Sequence, residues 1–235
     1  MKSMLIASTS TIHGSRPLEY LLDELKLHFA STEEILFIPY ARPSGLTYEE
    51  YTSRVTIPFK EIGKSVRGIH EYENPKTAIT NAKGIYTGGG NTFILVHQLY
   101  KADVLSELKN VVQNGTPYLG TSAGSNICGL TMNTTNDMPI VYPPSFKTLG
   151  LVPFNINPHY LDPNPNSTHM GETRETRIKE FHMYNTQPVI GLREGSWIKV
   201  KQDKLTLKGS LHARVFEHGK MPYEVGPNTD LSGLK

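Results

Sequence analysis

The chain has 235 residues, with 24 lysines and arginines against 22 aspartates and glutamates, and a formal net charge of +2. That length is enough for one domain that buries about 70 per cent of its unfolded surface, so we expect residues 1–235 to form a single domain. Basic and acidic residues are interspersed, and aromatic residues do not alternate with basic ones. This pattern argues against nucleic acid as a partner.

The sequence also argues against export and against a membrane. The segment Met1 to Ser8 contains only a short apolar run, and no later segment approaches the roughly 20 apolar residues of a membrane span. Cys128 is the only cysteine, so no intrachain disulfide can form, which fits a reducing compartment. We expect a cytoplasmic protein in which Cys128 is a small buried side chain rather than a nucleophile.

Short β-rich segments alternate with helical patterns along the chain, as in a parallel sheet covered by helices on both faces. In chain order, the predicted strands are Met4 to Ser8, Ile35 to Pro39, Ser65 to His70, Gly84 to Thr87, Pro117 to Gly120 and Val189 to Leu192. The apolar spacing predicts helices over Leu18 to Phe29, Glu49 to Lys60, Ala102 to Asn114 and Glu172 to Tyr184, with a further helical pattern from Phe93. An α/β open sheet with catalytic groups on loops at the strand ends follows.

Two regions depart from this alternation. The segment Met138 to Ser167 is rich in proline and asparagine, which predicts a long functional loop that could cover a site. Beyond Trp197, short strands are predicted at Ile198 to Val200, Lys204 to Leu207 and Arg214 to Phe216. We interpret them as a terminal antiparallel patch that closes the sheet edge.

The segment Gly120-Thr121-Ser122-Ala123-Gly124 follows an apolar, strand-like run and is typical of a nucleophile elbow. A serine at such a turn sits in a strained backbone, and the flanking glycines are needed because a Cβ would clash there. The turn exposes the Ser122 hydroxyl to a base, and the Ala123 amide that follows faces a developing oxyanion. An ordinary glycine-rich turn is the alternative interpretation.

Asp137 and His159 follow the elbow in loop-like surroundings beside prolines. Serine becomes a good nucleophile when an imidazole takes its proton and a carboxylate orients that imidazole. The sequence order Ser122, Asp137, His159 therefore predicts a catalytic triad. From spacing alone, a turn aspartate and a structural histidine remain alternatives.

The run Gly88-Gly89-Gly90 comes between an apolar strand and a helical pattern. It lacks the lysine of a P-loop and does not fit the dinucleotide fingerprint. We expect its amides, those of Gly89 and Gly90 in particular, to supply the second donor of an oxyanion hole beside Ala123. A tight turn without chemistry is the alternative.

Six segments, in this order and spacing, resemble the peptidase E family, bacterial aspartyl dipeptidases with a serine nucleophile. The resemblance extends from Met4 to about Trp197. The segments are Gly88 to Phe93, the Ser122 elbow, Thr134 to Ile140, Ile156 to His159, Gly171 to Arg174 and Gly191 to Trp197.

The resemblance implies a role for each matching residue. Ser122 would be the nucleophile, His159 the general base and then acid, and Asp137 the residue that orients the imidazole. Arg174 would hold the carboxylate of an aspartyl residue, since a guanidinium matches a carboxylate with two parallel hydrogen bonds. Without the family, Arg174 reads as a solvated residue in the first turn of a helix. Thr121 stands where relatives can carry an aromatic residue, so the resemblance implies a substrate pocket whose lining differs at this position.

The resemblance further implies a flavodoxin-like fold related to class I glutamine amidotransferases, whose elbow carries cysteine in place of Ser122. We expect a single peptidase domain over residues 1–235 that cleaves small Asp-Xaa peptides without a cofactor, as a monomer or homodimer. Among nine histidines no regular metal-ligand spacing occurs. A metal site built from Asp162 and His169 beside His159 is a weaker alternative.

Three other functions compete with a dipeptidase. A cyanophycinase-like peptidase would need an open groove for an aspartate-arginine polymer, and the chain has no obvious insertion to build one. An esterase of the α/β-hydrolase type usually has its histidine much farther along a longer chain. A catalytically silent, amidotransferase-like binding domain would not need Ser122, Asp137 and His159 together.

Overall fold

The computed structural model describes residues 1–43, 45–168 and 170–235, so His169 lies outside the described residues. The strands are β1 (Ser3–Ala7), β2 (Glu34–Ile38), β3 (Ser65–Gly68), β4 (Ile85–Thr87), β5 (Tyr118–Thr121), β6 (Asn155–Pro158), β7 (Val189–Leu192), β8 (Trp197–Lys201), β9 (Lys204–Lys208), β10 (Ala213–Phe216) and β11 (Tyr223–Val225). The α-helices are α1 (Leu22–His28), α2 (Tyr48–Glu61), α3 (Pro75–Asn81), α4 (Thr92–Lys101), α5 (Leu105–Gln113), α6 (Ala123–Asn126) and α7 (Arg174–Phe181).

The main sheet has the strand order β3-β2-β4-β5-β1-β8-β9. Its first five strands pair in parallel, whereas β8 and β9 add to the β1 edge in antiparallel orientation. This confirms the predicted α/β fold with a mostly parallel sheet. The strands predicted at Ile198 to Val200 and Lys204 to Leu207 close the sheet edge, as expected.

Strand β1 illustrates how the sheet separates two cores. Met4 and Ile6 pack into the apolar cluster under α3, α4 and α5, whereas Leu5 and Ala7 pack against α1 and α2 on the other face. All four side chains are fully buried. Because successive side chains of a strand point to opposite faces, an unbroken apolar run is what a sheet covered on both faces requires.

A second sheet was not foreseen from the sequence. It has the order β11-β10-β7-β6, with β6 and β7 parallel and the remaining pairs antiparallel. Val189 to Leu192 and Arg214 to Phe216, expected in or at the edge of one sheet, lie in this second sheet. Strand β6 interrupts the segment Met138 to Ser167, which was expected to be a continuous loop.

Three predicted helices are shorter than expected, and the one predicted over Ala102 to Asn114 is α5 (Leu105–Gln113). Leu18 to Phe29 forms a 3-10 turn at Glu19–Leu21 followed by α1, because Leu18 has a left-handed backbone with φ 58°. The helix expected from Glu172 begins at Arg174, since the Thr173 side chain caps it by accepting a hydrogen bond from Thr176 N at 3.1 Å.

The two glycines that flank the Ser122 turn, Gly120 and Gly124, lie against backbone atoms of the core. A Cβ on Gly120 would lie 2.4 Å from Gly124 O, and a Cβ on Gly124 would lie 2.1 Å from Thr87 O. Both neighbours are backbone atoms of the core, which cannot move aside cheaply. The requirement for glycine at both positions is thus steric.

We expect Gly124→Ala to lower the free energy of unfolding by about 1–3 kcal/mol or more, because the new methyl group overpacks a buried backbone contact. Urea unfolding followed by circular dichroism measures this change. Gly233→Ala is the control, since a Cβ there meets nothing within 4 Å. Equal urea midpoints for the two variants would contradict the steric argument.

Candidate active site

Strand pairing brings three chain segments to one edge of the two sheets. Strands β6 and β7 run in parallel with Pro158 opposite Leu192, so the residues that follow them lie side by side. Ser8, directly after β1, joins this pair to the main sheet. Its buried hydroxyl donates to Leu192 O at 2.6 Å and accepts from His159 N at 2.9 Å.

Ser122 stands at the tip of the turn between β5 and α6 with φ 55° and ψ −113°. A positive φ is unfavourable for a residue with a side chain, so the surroundings must hold it. The Ser122 amide donates to Ala7 O at 3.2 Å, and its carbonyl accepts from Asn126 N at 2.9 Å. The backbone bonds on both sides therefore maintain the strained conformation that projects the hydroxyl.

A chain of hydrogen bonds leads from Ser122 through His159 to Glu194. The Ser122 Oγ lies 2.9 Å from His159 Nε2, and His159 Nδ1 lies 2.6 Å from Glu194 Oε1. Because an ionised carboxylate only accepts hydrogen bonds, Nδ1 carries the proton and Nε2 is free to accept from the serine. This arrangement can take a proton from a hydroxyl and stabilise the resulting imidazolium.

The structure corrects the predicted contact between Asp137 and His159. Asp137 Oδ2 accepts hydrogen bonds from Thr92 N at 2.7 Å, Thr92 Oγ1 at 2.6 Å and Thr135 Oγ1 at 2.9 Å. Thr92 is the first residue of α4, where the helix dipole favours a negative charge, and Thr135 lies two residues before Asp137. The carboxylate at the imidazole is Glu194, so the chain order of the three linked residues is serine, histidine, glutamate.

Sequence reasoning missed Glu194 because it took the carboxylate that lies between the elbow and His159. Glu194 follows a predicted strand and lies within the segment Gly191 to Trp197 that carries part of the family resemblance. The parallel pairing of that strand with β6 was the missing information. With it, a carboxylate two residues beyond Leu192 is the natural neighbour of His159.

Arg193 anchors the turn that carries Glu194. Its guanidinium donates to both carboxylate oxygens of Asp162, at 2.6 and 2.8 Å, to Glu224, and to His212 O at 2.7 Å. These hydrogen bonds hold the pKa of Asp162 and that of Glu224 below their usual range. Both partners therefore stay ionised at neutral pH, and the turn is held by paired charges.

The glycine loop, Gly88 to Gly90, lies directly against Ser122. A Cβ on Gly89 would lie 2.8 Å from Ser122 Cβ and 3.3 Å from its Oγ, and one on Gly90 would lie 2.2 Å from Ala41 O. The Gly88 amide donates to Ile38 O at 3.3 Å. Within the described ranges, the amides of Gly89, Gly90 and Ala123 have no protein acceptor. Gly89 and Ala123 lie next to Ser122 in space or in sequence, and Gly90 follows Gly89.

Arg174 begins α7 and is half-buried beside a cavity of about 390 Å³ that Asp162, Thr173 and Arg177 also line. Burial, and then the neighbouring Arg177, lower the pKa of the Arg174 guanidinium, while Asp137 acts in the opposite direction. No carboxylate of the described chain forms an ion pair with Arg174. The structure thus brings Arg174 near Asp137 and leaves its cation unpaired.

Two other features, a metal-ligand cluster and a membrane-spanning helix, do not occur among the described residues. In the part of the chain that the structure describes, no group of three or more histidine, cysteine, aspartate and glutamate side chains is arranged to hold a metal ion. Over the same residues, no helix has the length and apolar character needed to cross a membrane.

Known proteins resemble this chain in sequence and in fold. A peptidase E of Streptomyces coelicolor is 46% identical over 232 residues, which is 99% of this chain and 94% of the relative. A probable alpha-aspartyl dipeptidase of Drosophila melanogaster is 42% identical over 236 residues, covering 99% and 97%. A crystal structure of a putative peptidase E from Listeria monocytogenes, 20% identical, has a TM-score of 0.68 over 89% of this chain and 98% of that one, which shows a shared fold.

The similarity extends to a whole family. The family model of peptidase family S51 matches residues 4–208. That range contains the Ser122 elbow, His159 and Glu194 with the strands that position them. The chain belongs to peptidase family S51.

Proposed function

We propose that this protein is a serine-type dipeptidase that hydrolyses peptides with an N-terminal aspartate. The observation that carries the proposal is the hydrogen-bonded series of Ser122, His159 and Glu194. Relatives named peptidase E and alpha-aspartyl dipeptidase, similar over nearly their full length, support the same activity. We further propose that residues 1–235 act as one peptidase domain, as a monomer or homodimer.

In the proposed mechanism Ser122 attacks the peptide carbonyl while His159 Nε2 takes the hydroxyl proton. Glu194 keeps the imidazole in the required tautomer and stabilises its cation. The oxyanion accepts hydrogen bonds from the Ala123 amide and from an amide of the glycine loop, Gly89 or Gly90. His159 then protonates the leaving amine, and water, activated by the same imidazole, releases aspartate from the aspartyl-enzyme.

Arg174 and Asp137 suit the two charges of an N-terminal aspartyl residue. Arg174 offers an unpaired, half-buried cation for the side-chain carboxylate, with each charge-assisted hydrogen bond contributing about 1.5–3 kcal/mol. Asp137, whose Oδ1 has no protein hydrogen bond among the described residues, offers an anion for the free α-ammonium group. A substrate that lacks either charge leaves a desolvated group unpaired and is rejected.

The first test is aspartate release from Asp-Leu by the purified protein, measured by chromatography. We expect rapid cleavage that a chelator does not affect, no cleavage of Leu-Leu or N-acetyl-Asp-Leu, and a loss of about 10⁴-fold or more in kcat for Ser122→Ala. A folded wild-type sample that leaves Asp-Leu intact would overturn the proposed substrate, and polymeric aspartate-arginine would then be tested.

Glu194→Gln tests the orienting role. We expect kcat to fall by up to about 10⁴-fold with little change in KM, because an amide can donate to Nδ1 and so favour the wrong tautomer. Steady-state kinetics with Asp-Leu measures the two constants. Glu180→Gln is the control, since Glu180 is an exposed residue of α7. If Glu194→Gln retained wild-type kcat, the assigned orientation of His159 would be wrong.

Asp137→Asn and Arg174→Gln test the two charge anchors. We expect each to lower kcat/KM for Asp-Leu by about 10- to 150-fold, corresponding to the loss of one charge-assisted contact, mainly through KM. Asparagine keeps an oxygen that can accept from Thr92 N, and Asn91 still caps α4, so Asp137→Asn leaves the start of the helix in place. A fall in kcat alone for Asp137→Asn, with KM unchanged, would count against binding of the substrate amine.

A further inference from the structure

The glycine loop has a buried partner on the side away from solvent. Tyr51 of α2 is 7% exposed, and its hydroxyl donates to Gly89 O at 3.2 Å. Its ring packs edge-on against Phe37 at a centroid distance of 4.9 Å, and a Cβ on Gly88 would lie 2.5 Å from its hydroxyl oxygen. The loop is therefore built closely around this tyrosine.

The hydrogen bond from Tyr51 orients one particular peptide group. The carbonyl of Gly89 and the amide of Gly90 belong to the same planar trans peptide, so they point in opposite directions. With the carbonyl directed at Tyr51, the Gly90 amide is directed away from α2. Gly89 packs directly on Ser122, which places this peptide next to the hydroxyl.

The other backbone hydrogen bonds of the loop do not determine how the Gly89–Gly90 peptide is rotated. The Gly88 amide donates to Ile38 O at 3.3 Å, and the Asn91 amide donates to Ala41 O at 2.7 Å. These two bonds hold the ends of the loop. The peptide between them is flanked by two glycines, and Gly90 has φ 143°, so no side chain restricts its orientation.

We propose that Tyr51 is a positioning residue of the oxyanion hole, whose hydroxyl holds the Gly89–Gly90 peptide so that the Gly90 amide donates to the oxyanion formed at Ser122. The inference rests on the proposed function in requiring an oxyanion at Ser122, and it selects Gly90 as the glycine-loop donor. Tyr51 does not touch the reacting atoms. It acts through the peptide that it orients.

Two physical effects support this role. Donation to the Gly89 carbonyl polarises the peptide and strengthens the hydrogen bond that its amide can make. Burial raises the pKa of the Tyr51 phenol, so the hydroxyl remains a donor at neutral and mildly alkaline pH. An oriented amide in place before the reaction is what makes an oxyanion hole effective, because no reorganisation is then needed.

Tyr51→Phe removes the donor and keeps the ring that packs on Phe37. We expect kcat for Asp-Leu to fall by about 10- to 100-fold, somewhat less than the 10²–10³-fold loss of a whole oxyanion donor, because the Gly90 amide is still present. The KM of Tyr51→Phe for Asp-Leu should stay within twofold of the wild-type value. In a Ser122→Ala background, Tyr51→Phe should likewise leave the Kd for Asp-Leu, measured by calorimetry, within twofold. Tyr100→Phe is the control, since the Tyr100 hydroxyl also donates to a backbone carbonyl, Lys147 O at 3.1 Å, but one outside the glycine loop.

A fluorophosphonate probe gives a readout that does not depend on aspartyl specificity. Its reaction with Ser122, followed by intact mass, forms an oxygen–phosphorus bond with loss of fluoride and needs the same oxyanion donors. We expect Tyr51→Phe to be labelled at least tenfold more slowly than the wild type and Tyr100→Phe at the wild-type rate. Thermal unfolding shows that all samples are folded at the assay temperature.

Equal labelling rates and equal kcat for the wild type and Tyr51→Phe would overturn the role of Tyr51. A third result is a wild type that reacts with the probe but leaves Asp-Leu intact, together with slower labelling of Tyr51→Phe. It would overturn the proposed substrate and retain the role of Tyr51. A wild type that neither reacts with the probe nor cleaves Asp-Leu would overturn both.

Discussion

The parallel register of β6 and β7, with Pro158 opposite Leu192, is the constraint on which the site depends. It brings the residue that follows one strand beside the turn that follows the other, and so places Glu194 at the imidazole of His159. Ser8, which follows β1, connects this pair of strands to the main sheet, because its hydroxyl donates to the Leu192 carbonyl and accepts from the His159 amide. A slip of one residue in this pairing would turn every side chain of β6 to the opposite face. The geometry at Ser122 thus depends on backbone pairing more than on contacts among the three side chains.

The sequence predicted the parts of the fold that local pattern determines. Apolar runs in β1, β2, β4 and β5 have the composition of strands covered on both faces, and the glycines around Ser122 are required wherever a strand turns so sharply into a helix. The second sheet was not predictable in the same way, because β6 lies in a segment rich in proline and asparagine, which is typical of a loop. Which strand pairs with it is decided by long-range contacts, and neither propensity nor periodicity reports those.

The same distinction explains the site. Ser122 and His159 were identified from motifs, since each stands at a turn whose local chemistry is visible in the sequence. The carboxylate was assigned to Asp137 because sequence order offered no way to prefer a residue after His159. In the structure, Asp137 already accepts three hydrogen bonds at the start of α4, and a carboxylate bound in this way is held apart from His159. The correction therefore follows from tertiary pairing and could not come from spacing.

Exposure determines what can hold the site together. The side chains of His159 and Glu194 are 35% and 45% exposed, so water reaches the hydrogen bond between them, and this bond alone contributes little to their orientation. The rigidity must come from their backbones. His159 has an unfavourable φ of 53° that the Ser8 hydroxyl bond helps to maintain, and Arg193 ties the turn of Glu194 to carboxylates on two other segments. A partly exposed pair of side chains on a strained, heavily bonded backbone keeps its geometry without being buried, which is what the proposed mechanism requires of an imidazole that must exchange protons with Ser122 and with water.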